Sequence, residues 1–157
     1  MTTERIAVRT ADLPVRVGSN YPAPHDGPCQ QRRRQALGDA FGLSQFGVNL
    51  LELPPGTWSS QRHWHERQDE LVYVLEGEVV LVTDAGETTL TQGMTAGFRA
   101  GDANGHHLIN RSDRTVRVIE VGTRTVEEVA HYPDIGMMVR EDASASGYFT
   151  ADGRPMK

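Results

Sequence analysis

From residue 46 onward the chain is a succession of short β-type runs: "FGVNLLEL", "ELVYVLEG", "EVVLVTD", "ETTLT", "HHLIN" and "TVRVIEVG". Between them stand "PPG", "EG", "DAGE", "QG", "AGDANG" and "RSD", clusters in which Gly, Pro, Asn and Asp supply the backbone angles of turns. No helix of ordinary length fits between consecutive runs, so βαβ architectures are excluded and an all-β sandwich or barrel is expected. Two runs, "LVYVL" and "VVLV", are apolar on both faces, whereas a strand with one face in water alternates apolar and polar residues. Their outer face therefore calls for a cover: the N-terminal arm, the tail or a second copy of the chain. The last of these makes a homodimer the expected assembly.

The 157 residues suit one domain. Residues 1–45 hold Pro14, Pro22, Pro24 and Pro28 with little periodicity and read as an extended arm packing on a barrel core at 46–122. Residues 123–157 read as a tail packed along the same domain through Ile135, Met137, Met138, Tyr148 and Phe149. Within the arm, "QQRRRQALGDAFGL" suggests one or two helical turns. Its Arg32, Arg33 and Arg34 read as a solvated basic face paired with the acidic body, with a phosphate or carboxylate site as the alternative.

Composition removes several classes of function. No apolar window is long enough to span a membrane, and the charged start "MTTERIAVRT" does not read as an export signal, so a cytoplasmic protein without a membrane partner is expected. The net charge of -5 disfavours nucleic acid, and residues 1–45 lack the paired amphipathic helices of a helix-turn-helix. Cys29 is the sole cysteine, so an intrachain disulfide and a thiolate cluster are both excluded, and any metal must be held by nitrogen and oxygen.

Such donors gather around "QRHWHERQDELVYVLEG". In an extended strand His63 and His65 point to the same side, about 7 Å apart along the backbone, with Trp64 turned away between them. Glu70 opens the next run, with Val72 and Val74 following on its face. An unpaired carboxylate there would cost several kcal/mol to bury, and either a cation or an exposed pairing with Arg62 or Arg67 would remove that cost. In "GHHLIN" only one of His106 and His107 can face inward.

These stretches resemble the two sequence motifs of the cupin superfamily, in particular its small single-domain bacterial members. Gly56, His63, His65, Glu70 and Gly77 match the first motif, and Gly93, Gly101, His106 and Asn110 the second. Arg99 stands where the second motif has proline, and "DANG" lengthens the turn before the histidine. The resemblance extends over roughly residues 46–122 and implies a double-stranded β-helix, or jelly-roll barrel. It implies His63, His65, Glu70 and His106 as ligands of one divalent transition metal, and the family spacing from histidine to asparagine selects His106 over His107. Donors of this kind suit Fe, Mn, Ni, Co or Zn.

The expected function is that of a small-molecule metalloenzyme of dioxygenase, isomerase or lyase type, with a non-catalytic, metal-dependent binding or sensing protein as the alternative. No separate catalytic residue stands out. Trp64 and Tyr73 are expected on the outer face, Met94 and Phe98 in the core or at the pocket mouth, and Asn110 in a structural turn. His25, Cys29 and His131 show no partner motif.

Overall fold

The structure, a computed structural model, describes residues 6–156. It contains thirteen strands: β1 (Arg16–Val17), β2 (Arg33–Ala36), β3 (Phe46–Leu53), β4 (Trp64–His65), β5 (Glu70–Glu76), β6 (Glu78–Thr83), β7 (Gly86–Thr91), β8 (Thr95–Phe98), β9 (His107–Ile109), β10 (Val116–Thr123), β11 (Glu128–Tyr132), β12 (Met137–Glu141) and β13 (Ser146–Thr150). Helical structure among the described residues is confined to three-residue 3-10 turns.

One layer is a six-stranded sheet in the order β1-β2-β3-β10-β5-β8. The other is made of two pieces, β7-β6-β9 and β13-β12-β11-β4. An antiparallel bridge joins these pieces: the His63 N–H donates to the His106 carbonyl at 3.1 Å, and the His106 N–H to the His63 carbonyl at 2.9 Å. Two antiparallel layers closed on each other in this way form the jelly-roll barrel.

The cross-strand register shows how the barrel acquires a polar end. Along the inner face of β5 stand Glu70, Val72 and Val74, opposite Gly122, Glu120 and Val118 of β10. Glu120 and Val118 in turn stand opposite Asn49 and Leu51 of β3. All three strands are therefore polar at one end of the inner face and apolar further along. The apolar halves meet Val79, Leu81, Leu90 and Leu108 of the facing layer to make the main core, and the polar halves leave an open cup. A second cluster of Ala130, Tyr132 and Met137, packed by Tyr21, Ile135 and Tyr148, forms the wall on the side of β11–β13.

One expectation changes and one is narrowed. Only Asp39–Phe41 of "QQRRRQALGDAFGL" makes a helical turn, whereas Arg33–Ala36 is strand, paired with Ala36↔Asn49 through Arg33↔Glu52. The ladder to β3 satisfies these backbone groups, and a segment with no helical apolar period has no competing face to bury. The outer face of β5 is also uncovered in the single chain: Leu71, Tyr73 and Leu75 are 44%, 41% and 39% exposed.

Candidate metal centre

Four side chains converge at the polar end of the barrel. Glu70 projects inward from the first residue of β5. His65 comes from β4, and His63 and His106 from the bridge that joins the two pieces of the second layer. Glu70 Oε2 lies 2.7 Å from His106 Nε2, 3.4 Å from His65 Nε2 and 3.5 Å from His63 Nε2. The ligand atoms of His63, Glu70 and His106 all fall within 4.8 Å of one another. His65 joins this group through its approach to Glu70.

Only the His106 contact has the length of a hydrogen bond. The His63 ring shows what the longer contacts mean. Its Nδ1 lies 2.9 Å from the Gln61 carbonyl, which can only accept, so in the neutral ring Nδ1 carries the proton and Nε2 turns a lone pair toward Glu70. A lone pair facing a carboxylate oxygen lacks a bridging proton, and a cation between them would supply the missing positive charge. Ligands about 2.1 Å from an ion stand about 3.0–3.4 Å apart along the edges of an octahedron or tetrahedron, close to the spacings found. The His63, Glu70 and His106 atoms could thus hold one metal ion.

Burial would by itself push the Glu70 carboxyl up, but His106, His63 and His65 outweigh it and hold the group well below the ordinary carboxylate range. Burial pulls the His106 imidazole down and prevails over the bond to Glu70. For His65 burial also acts downward, but Glu70 and Glu128 together overcome it and raise the ring. Phe98 lies flat on His106, with centroids 3.5 Å apart and planes 1° from parallel, and shields that ring from water.

Other candidates fall into place around this group. Arg62 is taken up by Asp84, Asp134 and the Gly105 carbonyl, and Arg67 by Glu127; neither pairs with Glu70. His107 is buried on the other side of its strand, donating from Nδ1 to the Ser60 carbonyl and meeting Trp58 edge-on. Trp64 stacks on His131, which bonds Glu66 at 2.7 Å. Asn110 has no exposed surface and closes the turn before β10. Met94 is exposed, and Cys29 is buried in the arm. The His25 carbonyl accepts from the Gln61 side chain.

Sequence reasoning missed Glu128 and Glu120. Buried Glu128 accepts from the Glu66 and Arg67 amides, and its carboxylate stands 3.7 Å from His65 Nδ1. Glu120 lies on the inner face of β10 opposite Val72. No local motif marks either residue, because the partners of both are distant in sequence.

Cavities open beside the group. A cavity of about 210 Å³ opens past Phe98, Asp102 and Asn104. A larger one of about 340 Å³ opens toward the arm, lined by Tyr21, Arg32, Arg34, Glu120 and Tyr148. His65, Gln68 and Glu70 border both.

A family model described as "Cupin domain" matches residues 49–122. A crystal structure from Silicibacter pomeroyi, described as a sugar phosphate isomerase of the cupin superfamily, is 46% identical to this chain; the match covers 96% of each chain with a TM-score of 0.91. A structure from Acidithiobacillus ferrooxidans, described only provisionally as a sugar phosphate isomerase, is 28% identical over 81% of each chain, with a TM-score of 0.73. The polyketide cyclase of Streptomyces resistomycificus shares the fold at 22% identity and a TM-score of 0.60, over 74% of this chain and 78% of its own. No curated protein matches the chain. The two motifs, the jelly-roll topology and a relative this similar along almost its whole length have one reading: the chain belongs to the cupin superfamily.

Proposed function

We propose that this cupin is a metal-dependent isomerase acting on a phosphorylated sugar, with one divalent ion (Fe, Mn, Ni, Co or Zn) held by His63, His65, Glu70 and His106. The observation that carries this reading is the convergence of four nitrogen and oxygen donors on the floor of a polar cavity open to small molecules. The likeness to the Silicibacter pomeroyi structure supports an isomerase over a dioxygenase or a lyase. When bound, such an ion polarises neighbouring hydroxyl and carbonyl oxygens of a sugar and makes the hydrogen between them more acidic. The chain's own residues hold the sugar, shield it and move its proton. Phe98 and the buried ring of Tyr132, packed by the half-buried Tyr21, shield one side of the group from water. Glu120 lines the same cavity without contacting the three imidazoles and is the carboxylate we assign to carry a proton between adjacent carbons. Apolar Leu71, Tyr73 and Leu75, with Ile119 and Val121 beside them in register, form one apolar face. We assign that face to a second copy of the chain, in a self-complementary dimer.

Elemental analysis and an assay over a panel of aldose phosphates test this reading. The wild type is expected to bind one metal and to interconvert an aldose with its ketose. His63→Ala and His106→Ala are expected to lose both properties with the far-ultraviolet circular dichroism unchanged. Glu120→Gln should keep the metal and lose turnover. Full metal retention in both histidine variants would overturn the centre. A loaded protein that turns over none of the panel would favour a binding or sensing role.

A further inference from the structure

The larger cavity has one wall that the proposed isomerase chemistry leaves without a task. Arg32 and Arg34 are two residues apart on an extended segment and face the same side, into the cavity, while Arg33 faces the opposite side and pairs with Glu52 at 3.3 Å. Arg32 is only 7% exposed. Its Nε donates to the Gly18 carbonyl at 3.0 Å and one terminal nitrogen donates to the Ser59 carbonyl. Among the described residues it forms no ion pair with any carboxylate. Arg34 reaches Glu120 at 3.1 Å through a terminal nitrogen, yet its Nε is buried without an acceptor. Arg16 of β1 stands directly opposite Arg34 and lines the same cavity.

Three guanidiniums thus share one wall with one carboxylate, and the most buried of them has only neutral partners. Burial, followed by the charge of Arg34, weakens the hold of Arg32 on its proton. Buried charge is normally compensated, and like charges across a strand pair repel. A wall of this kind is complete only with an anion from outside. Between it and the imidazoles stand Tyr21, Tyr132 and Tyr148, the Tyr132 ring 5.5 Å from that of His63 and the Tyr21 ring 5.5 and 5.8 Å from those of Tyr132 and Tyr148. A ligand anchored at the arginines can therefore extend past these rings to Glu70 within one cavity.

We propose that Arg32 and Arg34 form an anion subsite that takes the phosphate of the ligand whose other end reaches the Glu70 group. Naming that ligand a phosphorylated sugar rests on the function proposed above; the subsite does not. Guanidinium forks match the paired oxygens of phosphate and of carboxylate alike, so the test separates the two.

The test titrates inorganic phosphate into the full-length chain by calorimetry, with and without bound metal. One phosphate is expected per chain, and Arg34→Gln is expected to weaken it roughly 10- to 100-fold, the worth of a lost charged hydrogen bond. Arg33→Gln, on the outer side of the sheet, should leave it unchanged. In the wild type the Arg34 Nε–H resonance should shift during the same titration, a readout that depends on no variant's folding. Absence of phosphate binding, or equal weakening by Arg33→Gln and Arg34→Gln, overturns the subsite. So does binding that vanishes in His63→Ala and is indifferent to Arg34→Gln, which would put the anion at the imidazoles. Acetate competing as well as phosphate would assign the wall to carboxylates and overturn the phosphate reading. Phosphate bound as expected by a protein without isomerase turnover supports the subsite while removing the isomerase reading. Isomerase turnover equally fast on unphosphorylated aldoses does the reverse.

Discussion

Asn110 uses both ends of its amide. Its Nδ2 donates to the carbonyls of Leu53 and Arg114, each at 2.7 Å, and its Oδ1 accepts from the Ser112 amide at 2.9 Å. Asn110→Ala leaves two carbonyls unpaired, one of them at the end of β3, and should lower stability by about 2–5 kcal/mol, read as a shifted urea midpoint. Metal content, set four residues away at His106, should be retained by the folded variant. The structural role of Asn110 was legible because a polar residue at the end of an apolar run must close a turn. The inward turn of His106 was legible from the resemblance rather than from spacing, since either histidine of the pair satisfies strand alternation. The Glu128 contacts with the amides of Glu66 and Arg67 were not legible at all: they join residues more than sixty positions apart and depend on β11 docking beside β4.

The corner at which β5 of the six-stranded sheet passes into β6 of the facing layer is the element on which the inward set of Glu70 depends. Its turn runs through Gly77, at φ +84°, where an added Cβ would meet Val116 Cγ2 at 3.2 Å. Gly77→Ala therefore combines a left-handed backbone strain with a close contact, and should destabilise by about 1–3 kcal/mol in chemical denaturation. The strands between residues 46 and 122 could be read from their composition because turn residues bound them on both sides. The strands outside were harder. β2 holds three polar residues and one alanine and is a strand because β3 offers it an edge; taken alone, its run suggests a helical turn. Likewise β11 to β13 look like tail until Tyr132 and Met137 find Tyr21 on the arm and close the cup.

At the scale of the molecule, apolar residues are divided between the barrel interior and the outer face of the six-stranded sheet. The interior set explains the fold; the outer set of Leu71, Tyr73 and Leu75 explains the proposed assembly. Size-exclusion chromatography with light scattering should give a dimer at micromolar concentration, and Leu71→Glu should convert it to a monomer with its metal content intact. A monomeric wild type would remove the dimer. Apolarity on both faces of "LVYVL" pointed to this surface from the sequence. The arginines stood in the sequence as a solvated face or an anion site, but their place as a wall facing the imidazole floor was not legible, because it arises only when β2 joins β3 and sets Arg34 beside Glu120.

The seam that closes the second layer consists of His63 and His106, which bond each other through their backbones and turn their imidazoles to the same carboxylate. An ion held by both rings would therefore also fasten the two sheet pieces together, and loading would be felt as a change in how often the barrel opens. Deuterium should enter the amides of residues 63 and 106 at a common rate in the metal-free chain, and loading should slow both by the same factor. The amides along the β12 and β13 hairpin, on the far side of that seam, should exchange as before.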